Sequence, residues 1–142
     1  MKTTKLLLIL LTILAFSTLA NAQKASQEVK SSAAFAEIIL RTTELESDLQ
    51  EFLVSYTEEY PKVKETRYEL NLLRDDLNKI SKLKGIETNK LTLALGKLLV
   101  RKAQIATDYW VLKNRYNDDH PEAKKAKTKL AIFEKAVKEI LD

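Results

Sequence analysis

His120 is the single histidine of the 142-residue chain, and it stands beside Asp118 and Asp119. An imidazole next to carboxylates carries the donor types of a metal site. Adjacent residues seldom converge on one ion, however, and no second histidine completes a usual ligand set. The chain also repeats this stretch. Tyr116-Asn117-Asp118-Asp119-His120-Pro121 has an earlier copy, Tyr56-Thr57-Glu58-Glu59-Tyr60-Pro61, in which Tyr60 occupies the place of His120. A phenol cannot replace an imidazole ligand, so no metal site is expected. The acidic pair is expected instead to favour the positive end of the helix that follows Pro121. The chain has no cysteine. Disulfides, iron–sulfur clusters, thiolate zinc sites, a cysteine nucleophile and a lipoprotein anchor are thereby excluded. There is no glycine-rich phosphate loop, and nothing surrounds His120 to complete a Ser-His-Asp arrangement. The expectation is a protein that is not an enzyme and takes no cofactor.

The aromatic residues suggest packing. Tyr56 and Tyr116 end two heptad runs and are expected to pack against Val63 and Ala123. Trp110 lies beside Tyr109, off the heptad seam, and with Val111 and Val54 suggests a second apolar stripe. Trp110 and Tyr109 are candidate interface anchors; core between two hairpins is the favoured role for Trp110.

These residues depend on long helices to position them. Two glycines and two prolines in a chain rich in Leu, Ala, Lys and Glu are the composition of helices. Phe35, Ile38, Thr42, Leu45, Leu49, Phe52 and Tyr56 recur at alternating three- and four-residue steps, the a/d pattern of a coiled coil. Pro61 breaks that run and suits the first turn of a returning helix. The return carries Val63, Thr66, Leu70, Leu73, Leu77 and Ile80. Gly85 is expected to cap it, and Thr88 or Asn89 to cap the next helix. That helix carries Leu91, Leu95, Leu98, Lys102, Ile105, Tyr109, Leu112 and Tyr116. After Pro121 come Ala123, Ala126, Leu130, Phe133, Val137 and Ile140.

A shift of sixty residues lays the second half on the first without a gap. Ile38 falls on Leu98, Arg41 on Arg101, Asp48 on Asp108, Tyr56 on Tyr116, Pro61 on Pro121 and Leu70 on Leu130. This reads as a tandem duplication of one hairpin. The fold expected is all-α: two tandem antiparallel coiled-coil-like hairpins in an up-down-up-down four-helix arrangement. Residues 1–22 read as a signal peptide, 23–83 as the first hairpin with a frayed lead-in to Ser32, 84–89 as a linker and 90–142 as the second hairpin.

The signal segment has Lys2 and Lys5, an apolar run from Leu6 to Ala20, and Ala20-Asn21-Ala22 before the cut. The run is too short for a comfortable span of about twenty residues. An exported chain beginning at Gln23 is expected, with no stable membrane span, in the periplasm or outside the cell. Without Lys2 and Lys5 it has 22 basic and 20 acidic side chains. That balance argues against nucleic-acid binding. Glu44, Glu46, Asp48, Glu51, Glu58 and Glu59 form an acidic block. Lys124, Lys125, Lys127, Lys129, Lys135 and Lys138 form a basic one. Either the blocks complement each other, within the bundle or between chains, or both are solvated faces.

The tip Tyr-x-x-x-His-Pro at Tyr116–Pro121, followed by a heptad helix, resembles the periplasmic coiled-coil segments of polysaccharide chain-length determinant proteins. The resemblance runs from Tyr116 to about Lys129, and more weakly from Tyr56 to Tyr68. It implies a local turn geometry and an envelope setting. The membrane spans and membrane-proximal domain of that family have no counterpart here. In overall plan the chain is also similar to periplasmic holdase chaperones of the Skp type. The function expected is helix–helix contact, with itself or a protein partner, in a structural or scaffold role. The alternative is a periplasmic holdase or stress protein.

Overall fold

Each helix begins where a local signal starts it. The computed structural model describes residues 27–83, 85–116 and 119–142; residues 1–26, with the predicted signal segment and the start of the expected lead-in, and Lys84, Asn117 and Asp118 lie outside the described residues. Helix α1 spans Ala33–Ser55, α2 spans Pro61–Ile80, α3 spans Leu93–Arg115 and α4 spans Pro121–Leu141. A 3-10 helix, Gly85–Lys90, lies between α2 and α3. All regular structure among the described residues is helical.

The Ser32 hydroxyl accepts from the Phe35 amide at 3.2 Å and starts α1. The Thr92 hydroxyl does the same for α3, accepting from Leu95 at 3.3 Å. Pro61 and Pro121 open α2 and α4, where the missing N–H costs no helical bond. The residues flanking the two tips have nearly the same backbone. Tyr56 and Tyr116 end their helices at φ −131° and −130°, and Tyr60 and His120 precede the prolines at φ −61° and −60°. The repeated tyrosine and proline thus end and restart the helices with the same geometry.

Three local expectations are corrected. Helix α2 stops at Ile80, and Gly85, at φ +61°, is the left-handed turn that opens the 3-10 helix rather than the cap of α2. Thr88 donates to the Gly85 carbonyl at 2.7 Å, so the cap of α3 falls to Thr92. The expected lead-in is ordered over residues 27–30 as a helical turn, because Val29 reaches the core and is 1% exposed. The Thr92 cap gives a direct check. Thr92→Ala should lower stability by about 1 kcal/mol in a urea titration, since one amide of the first turn loses its acceptor.

The four helices run up, down, up, down, and they stack as two hairpins rather than closing into a ring. Helix α1 packs on α2 and α3, and α2 packs on both. Helix α4 packs along α3 and against the 3-10 helix, where the Lys90 ammonium donates to the Leu141 carbonyl at 2.7 Å. Its contact with α1 and α2 is marginal.

Helices α1 and α3 are parallel and in register with the repeat. The Ala34 amide donates to the Leu91 carbonyl at 3.2 Å, and farther along Arg41 and Asp48 share one cleft with Arg101 and Asp108. The core is built from the expected seams, with Ile38, Leu45, Val63, Leu70, Leu73, Ile80 and Leu95 all 3% exposed or less.

Helix α3 carries a second buried face that the heptad pattern does not contain. Gly96, Leu99, Ala103 and Thr107 are buried against the first hairpin. Gly96 is there because nothing larger fits. A Cβ built on it would stand 2.8 Å from the Glu37 Cβ and 2.9 Å from the Ala34 Cα.

Candidate interaction surfaces

Four kinds of residue could carry function: the tips, Trp110 with Tyr109, the charged groups between helices, and exposed apolar side chains.

At the tips, the expected packing of Tyr56 on Val63 and Tyr116 on Ala123 is corrected. Tyr56 is 48% exposed and stacks on Tyr60, with ring centroids 3.9 Å apart. Tyr116 is 46% exposed and stacks on His120 at 4.1 Å. The cause is the extended backbone at both tyrosines, which turns the side chain off the seam. Phe52 meets the edge of Tyr60, and Val63 and Ala123 are buried.

His120 Nδ1 accepts from the Glu122 amide at 3.3 Å, so the imidazole caps α4. Asp119 pairs with Lys124 at 3.0 Å. Lys125 donates to Glu122 and holds its carboxyl below the ordinary value. Among the described residues, no three His, Cys, Asp or Glu side chains gather to hold a metal ion. Because α1 and α3 are parallel, Tyr56, Tyr60 and Pro61 lie at the same end of the molecule as Tyr116, His120 and Pro121.

Trp110 is half-buried between the hairpins and stacks on Tyr68 of α2, with centroids 4.8 Å apart. Its outer edge lines a shallow groove with Pro61, Lys64, Asn114 and Arg115. Tyr109 is half-buried on the neighbouring face. The expected stripe joining Trp110 to Val54 does not form, and Val54 stands alone at 86% exposed.

Charges fasten the stack. Lys102 Nζ lies 2.8 Å from both carboxylate oxygens of Asp76, which is 3% exposed. Arg41 Nε donates to Glu69 at 2.9 Å and Nη1 to Glu44 at 3.2 Å. Burial works to lower the Arg41 pKa, but the bonds and charge of Glu69, and then of Glu44, outweigh it and hold the guanidinium above its ordinary value.

Half of the acidic block, one residue of α1 and two of the tip, pairs with α2. Glu46 meets Arg74 at 2.9 Å, Glu58 meets Arg67 and Glu59 meets Lys64. In the basic block, Lys125, Lys135 and Lys138 pair within α4 or with Asp142 just after it, to Glu122, Glu139 and Asp142, and Lys124 pairs with Asp119. Within one chain the two blocks therefore do not meet.

Sequence reasoning did not reach Glu69 and Asp76, buried on the flank of the α2 seam. The one signal was Lys102, a base at a seam position.

The large exposed apolar side chains include Ile39 at 40%, Leu40 at 58% and Ile132 at 62%. No helix among the described residues is long and apolar enough to cross a membrane. This geometry defines an all-α protein of two stacked helical hairpins. Comparison with protein-family models, with curated proteins and with solved structures found no match.

Proposed function

We propose that this is an exported, non-enzymatic helical protein that acts by helix–helix contact, in a structural or scaffold role in the cell envelope. The observation that carries the reading is the outer face of α1. Ile39 and Leu40 stand exposed there on a helix whose opposite face is locked into the core. Apolar side chains on a rigid helix can bury area against a partner at about 25 cal/mol per Å². The grooves between helices are lined largely by charged and polar residues such as Glu46, Arg67 and Arg74. That supports contact through a fixed face over retention of unfolded clients in an apolar groove. The signal-like segment 1–22 and the resemblance of the Tyr116–Pro121 tip support the envelope setting.

The test is site-specific photo-crosslinking in the producing cell. A photoreactive residue at Leu40 should give discrete protein adducts in the envelope or exported fraction, on chains whose mass begins at Gln23. The same residue at the exposed position Lys82 should not. Absence of any protein adduct from Leu40, or chains retained in the cytoplasm with residues 1–22 intact, would overturn the reading.

A further inference from the structure

We propose that the partner is a second copy of this chain, bound head to tail, with the outer face of α1 of one molecule on the outer face of α3 and α4 of the next. The inference rests on the helix-contact reading above and names its partner.

The contact between the hairpins supplies the argument. Helix α3 docks on the first hairpin through Gly96, Leu99, Val100, Ala103, Thr107 and Trp110, all buried or half-buried. Sixty residues earlier stand Ala36, Ile39, Leu40, Thr43, Ser47 and Gln50, and every one is exposed. Leu99 is 2% exposed and its counterpart Ile39 is 40% exposed. The first hairpin thus presents to solvent the face that the second uses for docking.

The opposite end of the stack presents the receiving face. On α2, Glu65, Tyr68 and Asp76 meet α3, and Leu72 lies on the same stripe, packed against the core. The matching stripe of α4 is Lys125, Thr128, Ile132 and Ala136, of which only Ala136 is partly covered. Ala34, fully buried under α3, corresponds to the exposed Ala94. The exposed Ile39, Leu40 and Ile132 are therefore the unmatched halves of an interface the chain already makes once.

Charge points the same way. The Arg41–Glu69 bridge of the first hairpin corresponds to Arg101 and Lys129, two bases. Arg101 bonds to Gln104, and neither base makes an ion pair among the described residues. Gln104 and Val111 of α3 correspond to Glu44 and Glu51 of α1. A second copy docked as α3 docks would bring Glu44 to Arg101 and Lys129, and Glu51 to Lys125. The buried Asp76–Lys102 pair would become Ala136 and Thr42, so no charge is left unpartnered.

The face is not identical: Ala36 replaces Gly96, so the helices approach less closely between chains than within one, and Gln50 and Thr128 stand where Trp110 and Tyr68 stack. The contact is accordingly weaker than the inner one. Its two surfaces differ, so it is heterologous and adds copies without closing on a twofold axis.

The test is sedimentation of the chain, purified as the producing cell processes it, over a concentration and salt series. The wild type should grow past a dimer with concentration and shrink with salt. Two variants separate the faces: Ile39→Glu with Leu40→Glu, and Lys129→Glu with Ile132→Glu. All four side chains are exposed, and circular dichroism melts check that both variants fold. Each alone should stay monomeric, whereas a one-to-one mixture should form a species of two chains and stop there.

A wild type that remains monomeric to roughly 1 mM, weaker than any useful contact, overturns the proposal. So does a variant that still self-associates alone, which would indicate a twofold contact. So does a mixture that fails to pair. A monomeric wild type whose Leu40 crosslinks to a different protein would remove this inference and leave the helix-contact reading standing.

Discussion

Replacing Lys102 by methionine should destabilise the protein by about 3–5 kcal/mol, the cost of leaving one half of a buried ion pair alone. Asp76 is only 3% exposed and both its oxygens face the Lys102 ammonium at 2.8 Å. Its Oδ2 has no aligned hydrogen bond of its own, so the carboxylate relies on the charge of Lys102. Lys79 stands 3.5 Å away, but its side chain is 70% exposed and can replace little of that field. The pair joins α2 to α3 and so fastens one hairpin to the other. A double variant, Lys102→Met with Asp76→Leu, should recover most of the loss, because two apolar groups need no desolvated partner. Guanidinium titrations of the two single variants and the double variant at pH 7 measure the coupling. A single-variant loss under about 1 kcal/mol would mean that water reaches the carboxylate and the pair acts as a surface bridge.

The second large effect is expected at Gly96. Gly96→Val should cost about 1–3 kcal/mol by overpacking. Glycine inside a helix is a poor residue by about 1 kcal/mol relative to alanine, so a small side chain would ordinarily stabilise α3. Here the added Cβ would stand 2.8 Å from the Glu37 Cβ and 2.9 Å from the Ala34 Cα. Neither atom is the free end of a flexible chain, so α1 and α3 must move apart. The repeat provides an internal control. Ala36 occupies the corresponding position on α1 and is exposed. Ala36→Val, measured on dilute protein, should change stability by less than about 0.5 kcal/mol. Equal losses at the two sites would mean that the close approach at Gly96 contributes nothing to specificity.

The two substitutions probe features of different legibility. The helices themselves are written locally. Pro61 and Pro121 mark where α2 and α4 begin, and the three-and-four spacing from Ile38 to Leu49 and from Val63 to Ile80 marks the face each helix buries. The duplication was legible too, because Tyr56 and Pro61 recur as Tyr116 and Pro121 at a fixed interval, and the residues flanking both tips take the same dihedral angles. The connection was misread for a physical reason. Gly85 serves equally as a helix cap or as the left-handed residue opening a 3-10 turn, and the choice depends on where α3 docks. The tyrosines at the tips were misplaced because a heptad count continues through Tyr56 and Tyr116, whereas the backbone leaves the helix there.

By itself, the sequence determined an all-helical protein of two like hairpins, each with one apolar seam and a proline-opened return. A seam fixes its partner only when that partner is a few residues away along a short turn, and each hairpin meets that condition. Tertiary structure alone decided how the hairpins meet. Their contact uses Gly96, Ala103 and Thr107, small residues that carry no heptad signal, and the Asp76–Lys102 pair, whose members are 26 residues apart. Small side chains matter there because they let two backbones approach. A charge at a seam position is tolerated only where folding brings its opposite against it. Neither property belongs to a residue in isolation, so both came into view only once α3 lay against α1 and α2.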